Sequence, residues 1–211
     1  MDLITGLLDV VLHLDVHLAA LIARYGAWIY ALLFAIIFAE TGLVVTPFLP
    51  GDSLLFVAGA LAALGNLNIH LLVATLIAAA FLGNLANYAI GRWLGRRLFT
   101  RRDSRWLNPA HLEKAHAFYE RHGGKAVMIS RFLPLIRTYV PFVAGMGSMS
   151  PARFAMFNIV GATLWVTSLC YAGFFFGNVP WIRQNLSAMI VGIVVVSLIP
   201  VAVAWWRGRK T

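Results

Sequence analysis

The sequence predicts an all-α membrane protein that crosses the bilayer several times. We expect an inverted repeat of surface helix, re-entrant hairpin and transmembrane helix, followed by a C-terminal transmembrane helix, all in a single membrane domain over residues 1–211. Of these residues, 61% are hydrophobic and only 12% are charged, about half the charged fraction of an average soluble domain. Several apolar stretches reach the roughly 20 residues that a transmembrane helix needs. One sequence pattern also occurs twice along the chain.

Three apolar stretches predict simple transmembrane helices. The Ser150-Pro151 pair before the second of them fits an N-cap followed by the first helical position. The predicted spans are 69–90, which ends at Gly91-Arg92, 154–176, which ends at Gly177-Asn178, and 187–206, which ends at Arg207.

Two further apolar stretches, 28–64 and 127–146, contain charged residues, prolines and glycines near their middles. Proline and glycine interrupt helices, and a charge inside lipid costs free energy. Broken backbone at membrane depth is tolerated only where protein or a water-filled cavity surrounds it. Both stretches therefore predict re-entrant hairpins that enter the membrane and return to the same side.

The distribution of basic residues predicts the orientation. Nine of the 17 lysines and arginines lie between residues 92 and 125, and three more close the chain. Cytoplasmic loops are enriched in such residues, so these segments and the C-terminus are expected in the cytoplasm. Arginines 92–105 are interpreted as a topology signal rather than a lipid-phosphate site. No nucleic-acid recognition motif accompanies the charges, so no nucleic-acid partner is expected.

Two segments, 9–23 and 108–121, have the polar and apolar faces of helices that lie along a membrane surface. Histidines on these segments have spacings that a metal site could use, but no third ligand is evident, and no metal or cofactor is expected. The single cysteine, Cys170, lies in an apolar run and is interpreted as a packing residue.

The repeat is visible in two short runs. Residues 48–59 begin with Phe-Leu-Pro and end with Phe-Val-Ala-Gly, and residues 132–145 begin and end in the same way. A predicted surface helix precedes each run and a clean span follows it. The predicted topology makes residues 1–91 and 108–178 inverted copies, joined by a basic cytoplasmic loop at 92–107. Inverted repeats with paired broken segments are typical of transporters, with the binding site near the membrane midplane.

The two hairpins differ in the sign of their charges. The first contains Glu40 and Asp52, and the second contains Arg131 and Arg137. Acids that face arginines inside the bilayer would offset the cost of burying either alone. Such pairs could serve only to hold the hairpins together, but buried ion pairs add little stability. We therefore favour a functional role for all four residues.

These charges lie in motifs that resemble the DedA family, also called the SNARE-associated or VTT domain, over nearly the whole chain. The motifs are Glu40-Thr41-Gly42, Pro50-Gly51-Asp52, Gly91-Arg92 and the run from Arg131-Phe132 through Pro134 to Arg137. Gly83-Asn84 departs from the pattern, because many relatives have an acidic residue in place of the asparagine.

The resemblance implies a bacterial inner-membrane protein with two re-entrant hairpins that supports envelope integrity. It also implies translocation of undecaprenyl phosphate or a phospholipid, driven by the proton motive force. Glu40 and Asp52 would then couple protons, and Arg131 and Arg137 would bind the lipid phosphate, since guanidinium groups bind phosphate in a bidentate manner. The expected partners are the lipid, protons and the membrane, and a homo-oligomer is possible.

Three other functions use the same residues less well. A proton/cation antiporter could use the two acids, but two fixed arginines suit a cation site poorly. A lipid phosphatase would need a nucleophile and a base near the arginines. Ser53 has no visible base partner and neither hairpin contains histidine, so no catalytic residue is expected. A membrane scaffold without transport is the remaining alternative.

Overall fold

The computed structural model describes residues 26–43, 51–65, 67–98, 109–133, 136–147 and 149–179, and the side chains of 95–98 and 109–112 are left out of the description. All regular elements in these ranges are helical. In chain order they are α1 (Trp28–Gly42), α2 (Gly51–Ala63), α3 (Ile69–Leu98), α4 (Pro109–His122), α5 (Lys125–Ile129), a 3-10 helix (Ser130–Phe132), α6 (Tyr139–Met146) and α7 (Pro151–Gly177).

Helices α3 and α7 lie at the positions of two of the predicted transmembrane helices. Their apolar segments Ile69–Leu94 and Pro151–Gly177 contain 26 and 27 residues, long enough to cross a bilayer. Asn68 caps α3, since its Oδ1 accepts from the backbone N–H groups of His70 and Leu71 at 3.0 and 3.1 Å. Helix α7 begins at Pro151 and ends at Gly177, as predicted.

The predicted end of the first span at Gly91-Arg92 is wrong, because α3 continues to Leu98. Gly91 is buried and lies against the Phe142 carbonyl, so a Cβ there would overlap that group. The glycine therefore permits close helix packing and does not end the helix, and arginines continue a helix readily.

Both interrupted stretches are broken into shorter helices, as predicted. Helices α1 and α2 flank the first break, whose residues 44–50 lie outside the described ranges. Helix α5, the 3-10 helix and α6 flank the second break. The predicted surface helix at 108–121 is present as α4. The predicted elements at 9–23 and 187–206 lie outside the described residues, and the membrane re-entry and inversion of the repeats stay predictions.

The helices cluster into two compact units. The first unit comprises the described residues of Met1–Leu33, Pro50–Thr75 and Val166–Thr211. The second unit comprises those of Phe34–Leu49 and Leu76–Trp165. The second unit has an apolar core in which the rings of Tyr88 and Phe154 stack with centroids 4.3 Å apart. The Tyr88 hydroxyl donates to the Met149 carbonyl, so this buried tyrosine is both packed and hydrogen-bonded.

In each unit, two glycines allow a close backbone contact between a short helix and a long helix, and the two contacts are similar. In the first unit, a Cβ on Gly173 would overlap the Phe56 carbonyl, and a Cβ on Gly59 would overlap the backbone of Cys170. Cys170 is buried there, as predicted.

In the second unit, Gly91 meets the Phe142 carbonyl and Gly145 meets that of Tyr88. In both units the contacts are made by the Phe and the Gly of a Phe-Val-Ala-Gly run. The positions contacted are three residues apart on the long helix, Cys170 and Gly173 on α7 and Tyr88 and Gly91 on α3. The two-fold repeat itself stays a prediction.

We predict that Gly173→Ala lowers the free energy of unfolding by about 1–3 kcal/mol, since an added methyl group overpacks a backbone contact. The measurement is the midpoint of unfolding in detergent. Ala74→Leu, at an exposed position of α3, is the control and should shift the midpoint much less. Equal midpoints for Gly173→Ala and the parent chain would contradict the close packing.

Candidate functional site

Polar side chains from separate elements of the second unit meet at one pocket. The end of α1, the middle of α3, the 3-10 helix, the segment before α6 and the middle of α7 each contribute. The lining residues are Glu40, Thr41, Asn84, Arg131, Arg137, Thr138 and Trp165. Buried polar groups cost free energy unless they are paired, so their concentration at one place marks a candidate functional site.

Glu40 is carried into the pocket by the last turn of α1 and is only 1% exposed. The close approach of α1 to α3 needs small residues, and Gly42 lies against Gly83 there. The Thr41 hydroxyl donates to the Ile37 carbonyl at 2.8 Å, so this polar side chain is satisfied within its own helix.

Arg137 provides the charge partner of Glu40. Its Nη2 donates to Glu40 Oε1 in an ion pair that is largely removed from solvent. Breaking a buried pair leaves an uncompensated charge and costs far more than breaking a surface pair. The pair therefore connects the end of α1 to the segment that precedes α6.

Arg131 is bound differently, by neutral acceptors. Its Nη2 donates to the Ala80 carbonyl at 3.1 Å and to Asn158 Oδ1 at 2.7 Å. We place the amide oxygen of Asn84 toward this guanidinium, 3.0 Å away, because the opposite orientation would set two donors against each other. Among the described residues, no carboxylate lies within ion-pair distance of Arg131, although the side chain is buried.

Trp165 lies beneath both arginines. The guanidinium carbons of Arg131 and Arg137 lie 5.8 and 5.4 Å from the centroid of its ring. Cations within about 6 Å of an indole face are attracted to its electron-rich surface. The ring thus stabilises two nearby positive charges without neutralising them.

Asn87 joins the two chain segments that carry the ion pair. Its Nδ2 donates to the carbonyl of Thr41, the residue after Glu40, at 3.3 Å. The same nitrogen donates to the carbonyl of Thr138, the residue after Arg137, at 2.8 Å. Asn87 is fully buried on α3, so this spanning helix fixes both segments.

The pocket is small and positively charged. Its open volume of about 10 Å³ is about the room that one water molecule needs. Two guanidinium groups and one carboxylate line it, so its formal charge is +1 when all three are ionised. A narrow, desolvated and cationic pocket attracts an anion more strongly than the same groups would in water.

The structure therefore brings together three of the four predicted site residues, Glu40, Arg131 and Arg137. Asp52 lies in the first unit, in the first turn of α2, and its pairing with an arginine stays a prediction. The sequence interpretation missed Trp165 and Thr138 as site residues, and it also missed the amides of Asn87 and Asn158. The amides had a usable signal, because both lie within stretches predicted as clean apolar spans, where polar residues are rare.

The part of the chain that the structure describes is helical and contains two helices long and apolar enough to cross a bilayer, which is consistent with a helical membrane protein. The VTT domain model matches residues 49–175. The chain is 56% identical over 212 residues to Protein DedA of Escherichia coli strain K12, covering 100% of this chain and 97% of that protein. It is 39% identical over 183 residues to Inner membrane protein YqjA of the same strain, covering 85% and 81% of the two chains.

A third relative, an uncharacterized membrane protein of Mycobacterium leprae, is 44% identical over 176 residues, which cover 83% of this chain and 79% of the relative. No solved structure matches the chain. The chain belongs to the DedA family of VTT-domain membrane proteins, and it is a bacterial membrane protein.

We predict that Asn87→Ala destabilises the protein by about 1–3 kcal/mol, because it leaves two buried carbonyl groups without their donor. Asn87 Oδ1 has no partner among the described residues, so its removal offsets part of the loss and places the effect near the lower bound. The measurement is the midpoint of unfolding in a denaturing detergent.

Asn178→Ala is the matched control for this change. Asn178 donates to the carbonyl four residues earlier on an exposed surface, so its loss should change stability by no more than about 0.5 kcal/mol. Equal effects of the two substitutions would contradict the role of Asn87.

Proposed function

We propose that this protein is a lipid transporter driven by the proton motive force. It moves a phosphate-bearing lipid, undecaprenyl phosphate or a phospholipid, across the inner membrane and so supports envelope integrity. The observation that carries the proposal is the pocket lined by two arginines and one carboxylate: Arg131 is buried and bound by neutral acceptors, and Arg137 is paired with Glu40. An anion would balance the formal charge of +1 in this pocket. Phosphate is a suitable anion, because planar guanidinium groups bind its oxygens in a bidentate manner.

The two arginines would act at different stages. Arg131 is bound by neutral acceptors, so its charge is available to an anion before any ion pair breaks. Arg137 is paired with Glu40, so it becomes available only when that carboxylate is neutralised or moves away. Arg131 would therefore be the permanent part of the phosphate site and Arg137 the switched part.

Protonation of Glu40 is the proposed switch. A proton on the carboxylate removes the charge that holds Arg137, and a lipid phosphate can then take its place. Release of the proton restores the ion pair and expels the headgroup. The pocket has room for about one water molecule, so binding must widen it, and loss of the Glu40–Arg137 contact is the most direct way to do so.

Asp52 is proposed as the second proton-coupling residue. It lies in the first turn of α2, next to the break in the first hairpin. The two hairpins, open to opposite leaflets in turn, would carry the headgroup across while the lipid tails stay in the bilayer.

The same pocket is a weaker site for a proton/cation antiporter, because a cation would enter a space with a formal charge of +1. It is also a weak catalytic site. Glu40 is the only acid or base among the lining residues apart from the arginines, and its pairing with Arg137 makes it a poor base for activating the hydroxyl of Thr41 or Thr138. We therefore propose transport without a catalytic step and without a metal or cofactor.

The proposed arrangement in the membrane is multi-pass, with the C-terminus and the basic segment 92–125 in the cytoplasm. A homo-oligomer is compatible with this arrangement. Addition of a membrane-impermeant thiol label to cysteines introduced at positions 103 and 211, after Cys170→Ser, tests the orientation. Labelling of both positions only after the membrane is permeabilised is the expected result.

We predict that Arg131→Lys and Arg137→Lys each lower lipid transport roughly tenfold or more, since a hydrogen bond to a charged group contributes about 1.5–3 kcal/mol. The measurement is leaflet exchange of labelled undecaprenyl phosphate and labelled phosphatidylethanolamine in proteoliposomes with an imposed pH gradient. Arg121→Lys, at an exposed position of α4, is the control and should transport normally.

Full transport by both lysine variants would contradict the phosphate role of the arginines. Gradient-dependent cation flux, with neither lipid exchanged by the parent chain, would favour the antiporter instead.

We predict that Glu40→Gln removes the pH dependence of phosphate binding. Glutamine has the shape of glutamic acid but no charge, so Arg137 is released in acidic and alkaline buffers alike. Binding of a phosphodiester lipid, whose phosphate keeps the same charge in both buffers, should then be equally strong in both, while gradient-driven transport is lost. Glu120→Gln, which alters an exposed carboxylate on α4, should preserve both properties. Pronounced pH dependence in Glu40→Gln would contradict the switch.

A further inference from the structure

Two hydrogen-bond donors at the pocket remain unused. Thr138 Oγ1 and Arg131 Nε are buried and have no hydrogen-bond partner among the described residues. Both residues line the pocket. Leaving a buried donor unsatisfied costs free energy, and nearly all such groups in folded proteins are paired. Unpaired donors at one pocket therefore need an explanation.

The chemistry of these donors restricts which ligands can form hydrogen bonds with them. A guanidinium N–H can only donate, and a threonine hydroxyl can donate as well as accept. A ligand that satisfies both must bring acceptor atoms, and the positive charge of the pocket favours an anionic acceptor. A phosphate group, with several anionic oxygens at different angles, has this chemistry.

Thr138 is positioned for such a role by its backbone. Its carbonyl accepts from Asn87 at 2.8 Å, and its side chain is buried beside Arg137 in the chain. The neighbouring hydroxyl in the pocket differs, because that of Thr41 is already bonded to the Ile37 carbonyl. The fold thus satisfies one of the two threonine hydroxyls of the pocket and leaves the other available.

We propose that Thr138 is a ligand-binding residue whose hydroxyl donates to a phosphate oxygen, together with Nε of Arg131. This inference rests on the proposed function and adds a specificity-determining contact that is not charged. It implies that the site recognises the directions of phosphate oxygens as well as their charge. A neutral headgroup such as a hydroxyl does not supply the negative charge.

The test uses the full chain in lipid nanodiscs and isothermal titration with dodecyl phosphate. Inorganic phosphate and dodecanol are the comparison ligands, because they separate a lipid headgroup from free phosphate and from the alkyl chain. Thr138→Val replaces the hydroxyl with a methyl group and keeps the shape of the side chain. It should bind dodecyl phosphate roughly tenfold more weakly than the parent chain. Thr138→Ser keeps the hydroxyl and should retain most of the affinity.

Thermal stability without ligand is the second readout. Because the hydroxyl has no partner to lose, Thr138→Val should unfold at the same temperature as the parent chain or at a higher one. A hydroxyl with a structural role would give lower stability and unchanged binding. Ser53→Ala is the matched control, since it removes a buried hydroxyl that also has no described partner and lies outside the lining of the pocket. Its phosphate affinity should equal that of the parent chain.

The outcomes separate the two proposals. If the parent chain binds dodecyl phosphate and Thr138→Val binds it equally well, the role of Thr138 is overturned and the proposed function stands. If the parent chain binds neither dodecyl phosphate nor inorganic phosphate, the proposed function is overturned and the role of Thr138 with it. Equal affinity for inorganic phosphate and dodecyl phosphate would support the contact and identify free phosphate as a ligand.

Discussion

The structure of the second unit depends on burying two arginines in an apolar helical protein. An arginine is charged at any physiological pH, so its burial must be compensated by neighbouring groups. Glu40 compensates Arg137 directly. Carbonyl and amide oxygens together with the Trp165 ring compensate Arg131 only in part. This requirement explains Glu40 on α1, Asn84 on α3 and Asn158 on α7.

An arrangement of this kind is poorly suited to stability alone. Apolar residues of similar volume would often hold the same helices at least as well as a buried ion pair. One donor each of Arg131 and Thr138 and one acceptor of Asn87 have no partner among the described residues, which adds to the cost. Protein sites that sacrifice stability in this way are commonly those at which a ligand binds.

The sequence predicted the two long apolar helices, the two breaks and three charged residues that meet at the pocket, because these depend on composition and on local helix-breaking residues. It could not predict that Arg131 is bound by neutral acceptors while Arg137 is paired with a carboxylate. That difference arises in part from Asn84 and Asn158, which lie on two separate helices. It also misassigned Gly91 as a helix end. A glycine that ends a helix and one that admits a neighbouring backbone look alike in sequence, and only the Phe142 carbonyl distinguishes them.

The size of the pocket has a consequence for the energy balance of the cell. Protons cross a membrane rapidly when hydrogen-bonded water molecules form a continuous chain through a protein. The pocket formed by the described residues has room for about one water molecule, too little for such a chain at the site itself. Under the proposed function, a site of this size would limit proton leak, so that an idle molecule does not dissipate the gradient it is proposed to use.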